Sequence, residues 1–283
     1  MCLNFISRAG LFRLARRMLS LVLGCVAFAG LTRLAAADLE EVLTAKLLRV
    51  GLLAKDGPPL VQKGPSGEPS GLEGDFIAEV ARRMEVKITF VRTAQTPEEL
   101  IAQVVSSQID VGIGQLTDSL DWAKSVRFSR AYLKLQEIRL VDRLAATRSG
   151  GPALLLADKT SHVTAVTGSV VLPAVKEEFG DRLTVLPTLE DAVDAVLTRK
   201  AIAVIADEIA VTRWLGAHPD AGLRLEIVRR EDRRSNLAMA LNWKSDDLQA
   251  WLNLCIEKSV LDGTLQSLAG KYLGDSSPGA TKW

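Results

Sequence analysis

Cysteine and histidine are scarce in this 283-residue chain, which has three cysteines, at positions 2, 25 and 255, and two histidines, His162 and His218. Cys2 and Cys25 fall in an N-terminal stretch that reads as an export signal, so a processed chain keeps only Cys255 and has no internal disulfide. No His/Cys cluster is available to hold a transition metal, and His218 sits in the loop-like "AHPD". The same two histidines are the only bases for a Ser-His-Asp triad, and no G-x-S-x-G elbow accompanies them. Neither a metal nor another cofactor is expected.

Acids are missing from the first 37 residues, which carry Arg8, Arg13, Arg16, Arg17 and Arg33. A basic start, the apolar run "MLSLVLGCVAFAGL" from Met18 to Leu31 and an A-x-A end at Ala35 to Ala37 form the layout of a secretory signal, with cleavage expected near Asp38. The run falls short of the roughly 20 apolar residues needed to span a bilayer, which argues against a transmembrane helix. Lipid attachment at Cys25 is the minor alternative, since "VLGC" resembles a lipobox, but the apolar run continues through "VAFAGL". Without residues 1–37 the chain has 30 basic and 34 acidic residues, a net charge of −4, so no basic surface for nucleic acid is indicated.

What is present is an ordinary globular composition, 48% hydrophobic and 24% charged, arranged as alternating strands and helices. "KLLRVGLL" reads as a strand. "GDFIAEVARRM" places Phe76, Ile77, Val80, Ala81 and Met84 on one helical face, and "VKITFV" follows as a second strand. Thr96, Pro97 and Glu99 form a capping box that opens the next helix, and "IDVGIG" is a third strand. After the small, polar "AATRSGGPAL" the alternation begins again: "SHVTAV", "SVVLPAVKEEF", "RLTVLP", "TLEDAVDAVLTRK", "IAVIAD" and "EIAVTRWLGA". Extended "NLAMALNW" and two helices, "DDLQAWLNLCIEKSVL" and "TLQSLAGKYL", close the chain. The pattern predicts two α/β lobes, 38–142 and 143–236, with 237–283 returning to the first, so that two crossings create a hinged cleft for a small ligand.

The segments "LRVGLLAKDGPPL", "GLEGDFIAEVARRM", "SQIDVGIGQLTDSLDWAKSVRFSRAY", "AVTGSVV", "AIAVIADEIAV" and "LDGTLQSLAGKYLG" stand in an order that resembles the bacterial extracellular solute-binding proteins of family 3, the polar amino-acid receptors of ABC importers. The resemblance spans Leu48 to Gly274. It implies an α/β fold of two Rossmann-like lobes joined by a double-crossing hinge, the type II periplasmic binding protein fold. A monomeric periplasmic receptor that closes on its ligand and delivers it to a membrane permease is the implied function, and closure needs only differential affinity.

In that family an Arg in "TxTxER" and the backbone of a "GTT" turn hold the ligand's carboxylate, an Asp pairs with its ammonium, and aromatic rings from "YPPF" and "GFD" cover the side chain. By resemblance the turn falls on Gly168, Ser169 and Val170, where a helix start also favours an anion; an ordinary N-cap role for Ser169 is the competing reading. The Asp falls on Asp207, which could instead cap the helix that follows. On the first lobe Gly114 and Gln115 end a strand, and Thr117 and Ser119 match the two Thr positions. The Arg position holds Trp122, after Asp121, and the aromatic positions hold Gly57, Leu60 and Leu72.

Replacing an Arg fork by an indole removes a bidentate ion pair and leaves one neutral donor. Three explanations compete. Trp122 stacks on a cationic or aromatic ligand that lacks a carboxylate; or Lys55, Lys124 or Arg127 supplies the charge, although a helix would turn Lys124 about 200° from Trp122; or Trp122 packs beneath the cleft. The leading expectation is a receptor for a small, amine-bearing molecule. An exported enzyme resembling cyclohexadienyl dehydratase, with Glu73, Asp207 or Glu208 as the acid, and a sensory or accessory binding protein are the alternatives.

Overall fold

The computed structural model describes residues 38–273; the expected signal segment, its cleavage point before Asp38 and Cys25 lie outside them. Helix α1 (Leu39–Ala45) opens on Asp38, whose carboxylate accepts the Leu39 N–H while Glu41 accepts the Asp38 N–H. Strand β1 (Leu47–Leu53) follows, then a short hairpin of β2 (Gln62–Lys63) and β3 (Pro69–Ser70). Helix α2 (Leu72–Met84) buries the face carrying Phe76, Ile77, Val80, Ala81 and Met84. After β4 (Lys87–Ala94), Thr96 caps α3 (Pro97–Val105) by accepting the Glu99 N–H at 3.3 Å. The Glu99 carboxylate accepts from Gln95 N–H at 2.7 Å, one residue before the partner a capping box prescribes. Strand β5 (Val111–Gly112), a 3-10 turn at Trp122–Lys124 and β6 (Arg127–Phe128) complete this part.

Ten-residue β7 (Leu133–Asp142) begins the second sheet and leads into short helices α4 (Arg143–Arg148) and α5 (Pro152–Ala157). Then come β8 (Val163–Val166), α6 (Leu172–Phe179), β9 (Leu183–Leu186), α7 (Leu189–Leu197), β10 (Ala203–Asp207), α8 (Glu208–Ala217), α9 (Ala221–Arg224) and β11 (Leu225–Leu237). The chain rejoins the first sheet at β12 (Ala240–Leu241) and ends in α10 (Asp246–Leu261) and α11 (Thr264–Leu273).

The first sheet has the order β4-β1-β5-β12-β6, with β1 parallel to β4 and β5, and β12 antiparallel to β5 and β6. The second has the order β11-β7-β10-β8-β9; β8 is parallel to β9 and β10, and β7 is antiparallel to β10 and β11. These are the two lobes. Where the chain crosses between them, the Tyr132 N–H donates to Leu237 O at 3.0 Å and the Ser129 N–H to Met239 O at 2.8 Å, so the crossings run side by side.

The lobe boundary needs correcting. The sequence reading carries lobe 1 to residue 142 and puts a linker at 143–150, whereas β7 belongs wholly to the second sheet and 143–148 is helical. The first crossing therefore falls between Phe128 and Leu133. The strand "LKLQEIRLVD" lacks a clean apolar signature because it buries Gln136, Glu137 and Arg139, and the two charges compensate one another at 3.2 Å.

Candidate functional site

Parallel strands end where their helices begin, and those ends converge on the gap between the sheets. A cleft of about 220 Å³ lies there. Lobe 1 supplies the segment Gly57–Leu60 and Gln115; lobe 2 supplies Leu135, the turn 166–170, Leu189 and a face of the β10–α8 junction that includes Asp207 and Arg213. This is smaller than the roughly 300–1,000 Å³ of drug-sized sites and suits a small molecule. A second depression, about 380 Å³ beside α1, draws on lobe 1 alone.

Gln115 is held in the left-handed region, φ 58°, with its N–H donating to Glu73 Oε1 at 2.8 Å and its side-chain amide reaching Gly57 O at 3.4 Å. A Cβ at Gly57 would stand 1.8 Å from Gln115 Nε2, so a larger residue there would displace the Gln115 side-chain amide. Glu73 is fully buried behind Gln115, outside the cleft lining. Its Oε1 also accepts the Tyr132 hydroxyl at 2.5 Å, while Oε2 has no partner among the described residues. Burial pushes this carboxyl up to about 7, against the opposing hydrogen bonds from Tyr132 and Gln115. Burial and the neighbouring Glu73 charge raise the Tyr132 phenol well above its usual range.

On lobe 2, Gly168 takes φ 76° and allows the strand to turn into α6. The Ser169 N–H is spent on Val166 O at 3.1 Å, and its carbonyl accepts the Leu172 N–H at 3.0 Å. Val171, not Ser169, is the N-cap of α6, so the capping role considered for Ser169 is not used. Ser169 Oγ is instead buried without a partner among the described residues. Asp207 does cap its helix, accepting the Ala210 N–H at 2.9 Å, and burial raises its carboxyl against the backbone hydrogen bonds that stabilise the charged form.

Of the sequence-predicted residues, Gln115, Gly168, Ser169 and Asp207 line the cleft, and Gly114, Thr117, Ser119 and Trp122 do not. Gly114 takes φ 151° beside β1. Thr117 bridges to Leu237 at the crossing, and Ser119 Oγ accepts the Trp122 N–H at 3.2 Å. Trp122 is half-buried against the cluster of Leu100, Val104, Leu116 and Val126, which corresponds to packing rather than cleft lining. Lys55 is outside the lining; Lys124 pairs with Asp121, and Arg127 pairs with Asp246 and stacks over Trp243. Of the aromatic positions, Gly57 and Leu60 line the cleft and Leu72 is in the core.

Arg213 was not singled out from the sequence. It is exposed, lines the cleft three residues after Ala210 and six after Asp207, and donates through Nη1 to Pro58 O on the opposite lobe. Its place one turn after Ala210, whose N–H Asp207 accepts, was the one signal that could have found it. Among the described residues no group of three or more His, Cys, Asp or Glu is gathered to hold a metal, and no helix is long and apolar enough to cross a membrane.

Two open α/β sheets linked by paired crossings around a small cleft define a type II periplasmic binding protein. The chain belongs to the bacterial extracellular solute-binding proteins, family 3, whose model matches residues 48–275. It is 22% identical over 256 residues, 90% of this chain and 95% of the other, to a Haemophilus influenzae protein named "Probable amino-acid ABC transporter-binding protein". Among solved structures it resembles an ABC-transporter binding component of Wolinella succinogenes complexed with lysine, at 25% identity and TM-score 0.65 over 82% of this chain and 98% of that one. It also resembles an ancestral amino acid-binding protein described as a precursor of cyclohexadienyl dehydratase, at 23% identity and TM-score 0.64 over 84% of this chain and 100% of that one.

Proposed function

We propose that this protein is a periplasmic receptor that captures a small, amine-bearing, amino-acid-like ligand in the interlobe cleft for an ABC importer. The observation that carries the reading is the cleft itself, walled by both lobes, with Asp207 and the Ser169 hydroxyl facing one small volume. A buried carboxylate at a strand end is a partner for a ligand ammonium, and the cleft is complete within one chain, as a monomeric receptor requires. Export with cleavage near Ala37/Asp38 places the receptor where the family works.

One observation favours a second reading, a dehydratase-like enzyme: the Glu73 carboxyl, held near 7, has the protonation behaviour of a general acid. Its enclosure behind Gln115 makes the receptor the stronger reading. Thermal denaturation of residues 38–283 with each of the twenty L-amino acids, small amines and organic acids tests it. A true ligand at 100 times its Kd stabilises by about 2.7 kcal/mol, a rise of several degrees in Tm. No rise with any of them, together with turnover of prephenate, would reverse the assignment.

A further inference from the structure

All the formal charge in the cleft comes from lobe 2. Among the described residues Asp207 and Arg213 are the only ionisable side chains in the lining, and lobe 1 adds Gly57, Pro58, Pro59, Leu60 and Gln115, which are neutral. The lobe 1 position where the resemblance places a carboxylate-binding Arg holds Trp122, packed away from the lining. A zwitterion taken out of water there still needs donors for its carboxylate, because an unpaired buried charge is costly.

We propose that Arg213 binds the ligand's carboxylate, so that lobe 2 reads both ends of the ligand and lobe 1 closes over it as a neutral cover. This rests on the receptor reading above. Asp207, the N-cap of α8, and Arg213 on that helix both line the cleft, six residues or about 9 Å apart along the axis. Helical side chains lean toward the N-terminus, which directs the Arg213 side chain toward the Asp207 end of the helix. Arg213 has five donors, and its one hydrogen bond among the described residues runs from Nη1 to Pro58 O. That bond holds the fork at the cleft mouth and leaves its remaining donors for an anion. Ser169 Oγ, buried in the same lining without a partner among the described residues, is a further donor for the bound ligand.

The competing role for Arg213 is a latch that holds the lobes together through Pro58 and never touches the ligand. Calorimetric titration separates the two roles, using the tightest binder among the twenty L-amino acids and its carboxamide, which has the same shape and no negative charge. Arg213→Ala should weaken the amino acid by about 10- to 100-fold and change the carboxamide by less than about threefold. Arg213→Lys, which keeps charge without the fork, should fall between wild type and Arg213→Ala for the amino acid. Trp122→Phe should leave both ligands within about threefold of wild type. Equal losses for both ligands in Arg213→Ala would assign the latch and overturn the inference, as would no loss, or a loss confined to the amino acid in Trp122→Phe. If the wild-type protein binds none of the twenty, the receptor reading fails first and takes this inference with it; binding that Arg213→Ala leaves intact sinks the inference alone.

Discussion

Glu73 shows how one buried side chain ties the cleft to the crossing. A single oxygen accepts from Gln115, which lines the cleft, and from Tyr132, whose backbone hydrogen-bonds Leu237 on the returning strand. Its folded value of about 7 lies above the ordinary 4.5, so the native state binds the proton more tightly than the unfolded chain. The stabilisation is fully present below about pH 4.5 and is lost as pH rises through about 7, a difference on the order of 3 kcal/mol. Glu73→Gln stays neutral throughout, so its urea midpoint should exceed that of wild type at pH 8 and converge with it at pH 5. A gap between the two proteins that does not change with pH would contradict this account. Trp122 carries the opposite lesson: its departure from the family pattern was visible in sequence, but its destination was not, because the cluster it packs against gathers Leu100 and Val104 of α3 and Ala240 of β12, which are distant from it in the chain.

At the scale of elements, segments that carry their own stripe and caps were legible. Glu208–Ala217, Asp246–Leu261 and Thr264–Leu273 have the limits that their helical patterns suggest. Strand β7 was not legible, since its neighbours β10 and β11 come more than 60 residues later and its buried charges mask the period. Arg139 donates to Glu137 at 3.2 Å and to Glu178 of α6 at 2.7 Å, and stacks over Phe179, pinning the helix to the sheet. Arg139→Ala leaves Glu137 buried without its charge partner and should cost about 3–5 kcal/mol in urea unfolding. The double change Glu137→Gln with Arg139→Met should recover much of that loss, because it removes the unpaired charge. A loss under about 1 kcal/mol in the single variant would show that water or neighbouring groups already solvate Glu137.

For the whole molecule, the decisive feature is that the lobes share a core. Val50 and Phe76 of lobe 1 and Leu135, Val163 and Ile205 of lobe 2 belong to one continuous buried cluster. The long β7–β11 pair carries that cluster through the crossings. Calorimetry and circular dichroism on residues 38–283 should therefore record one coincident unfolding transition, with calorimetric and van't Hoff enthalpies equal. Two resolved transitions would mean that each lobe folds on its own core.

By itself the sequence determined the α/β alternation, the return of the chain to its first lobe, and four residues that meet in the cleft: Gln115, Gly168, Ser169 and Asp207. The alternation and the return are set by local hydrophobic period and turn chemistry, whereas the four cleft residues were carried by the resemblance to the family's motifs. Tertiary structure alone decided that β7 belongs to lobe 2, that Trp122 packs outside the lining, and that Arg213 reaches Pro58 across the cleft. Each depends on which distant segments become neighbours, and no local pattern encodes the pairing of a strand or the reach of a side chain across two lobes.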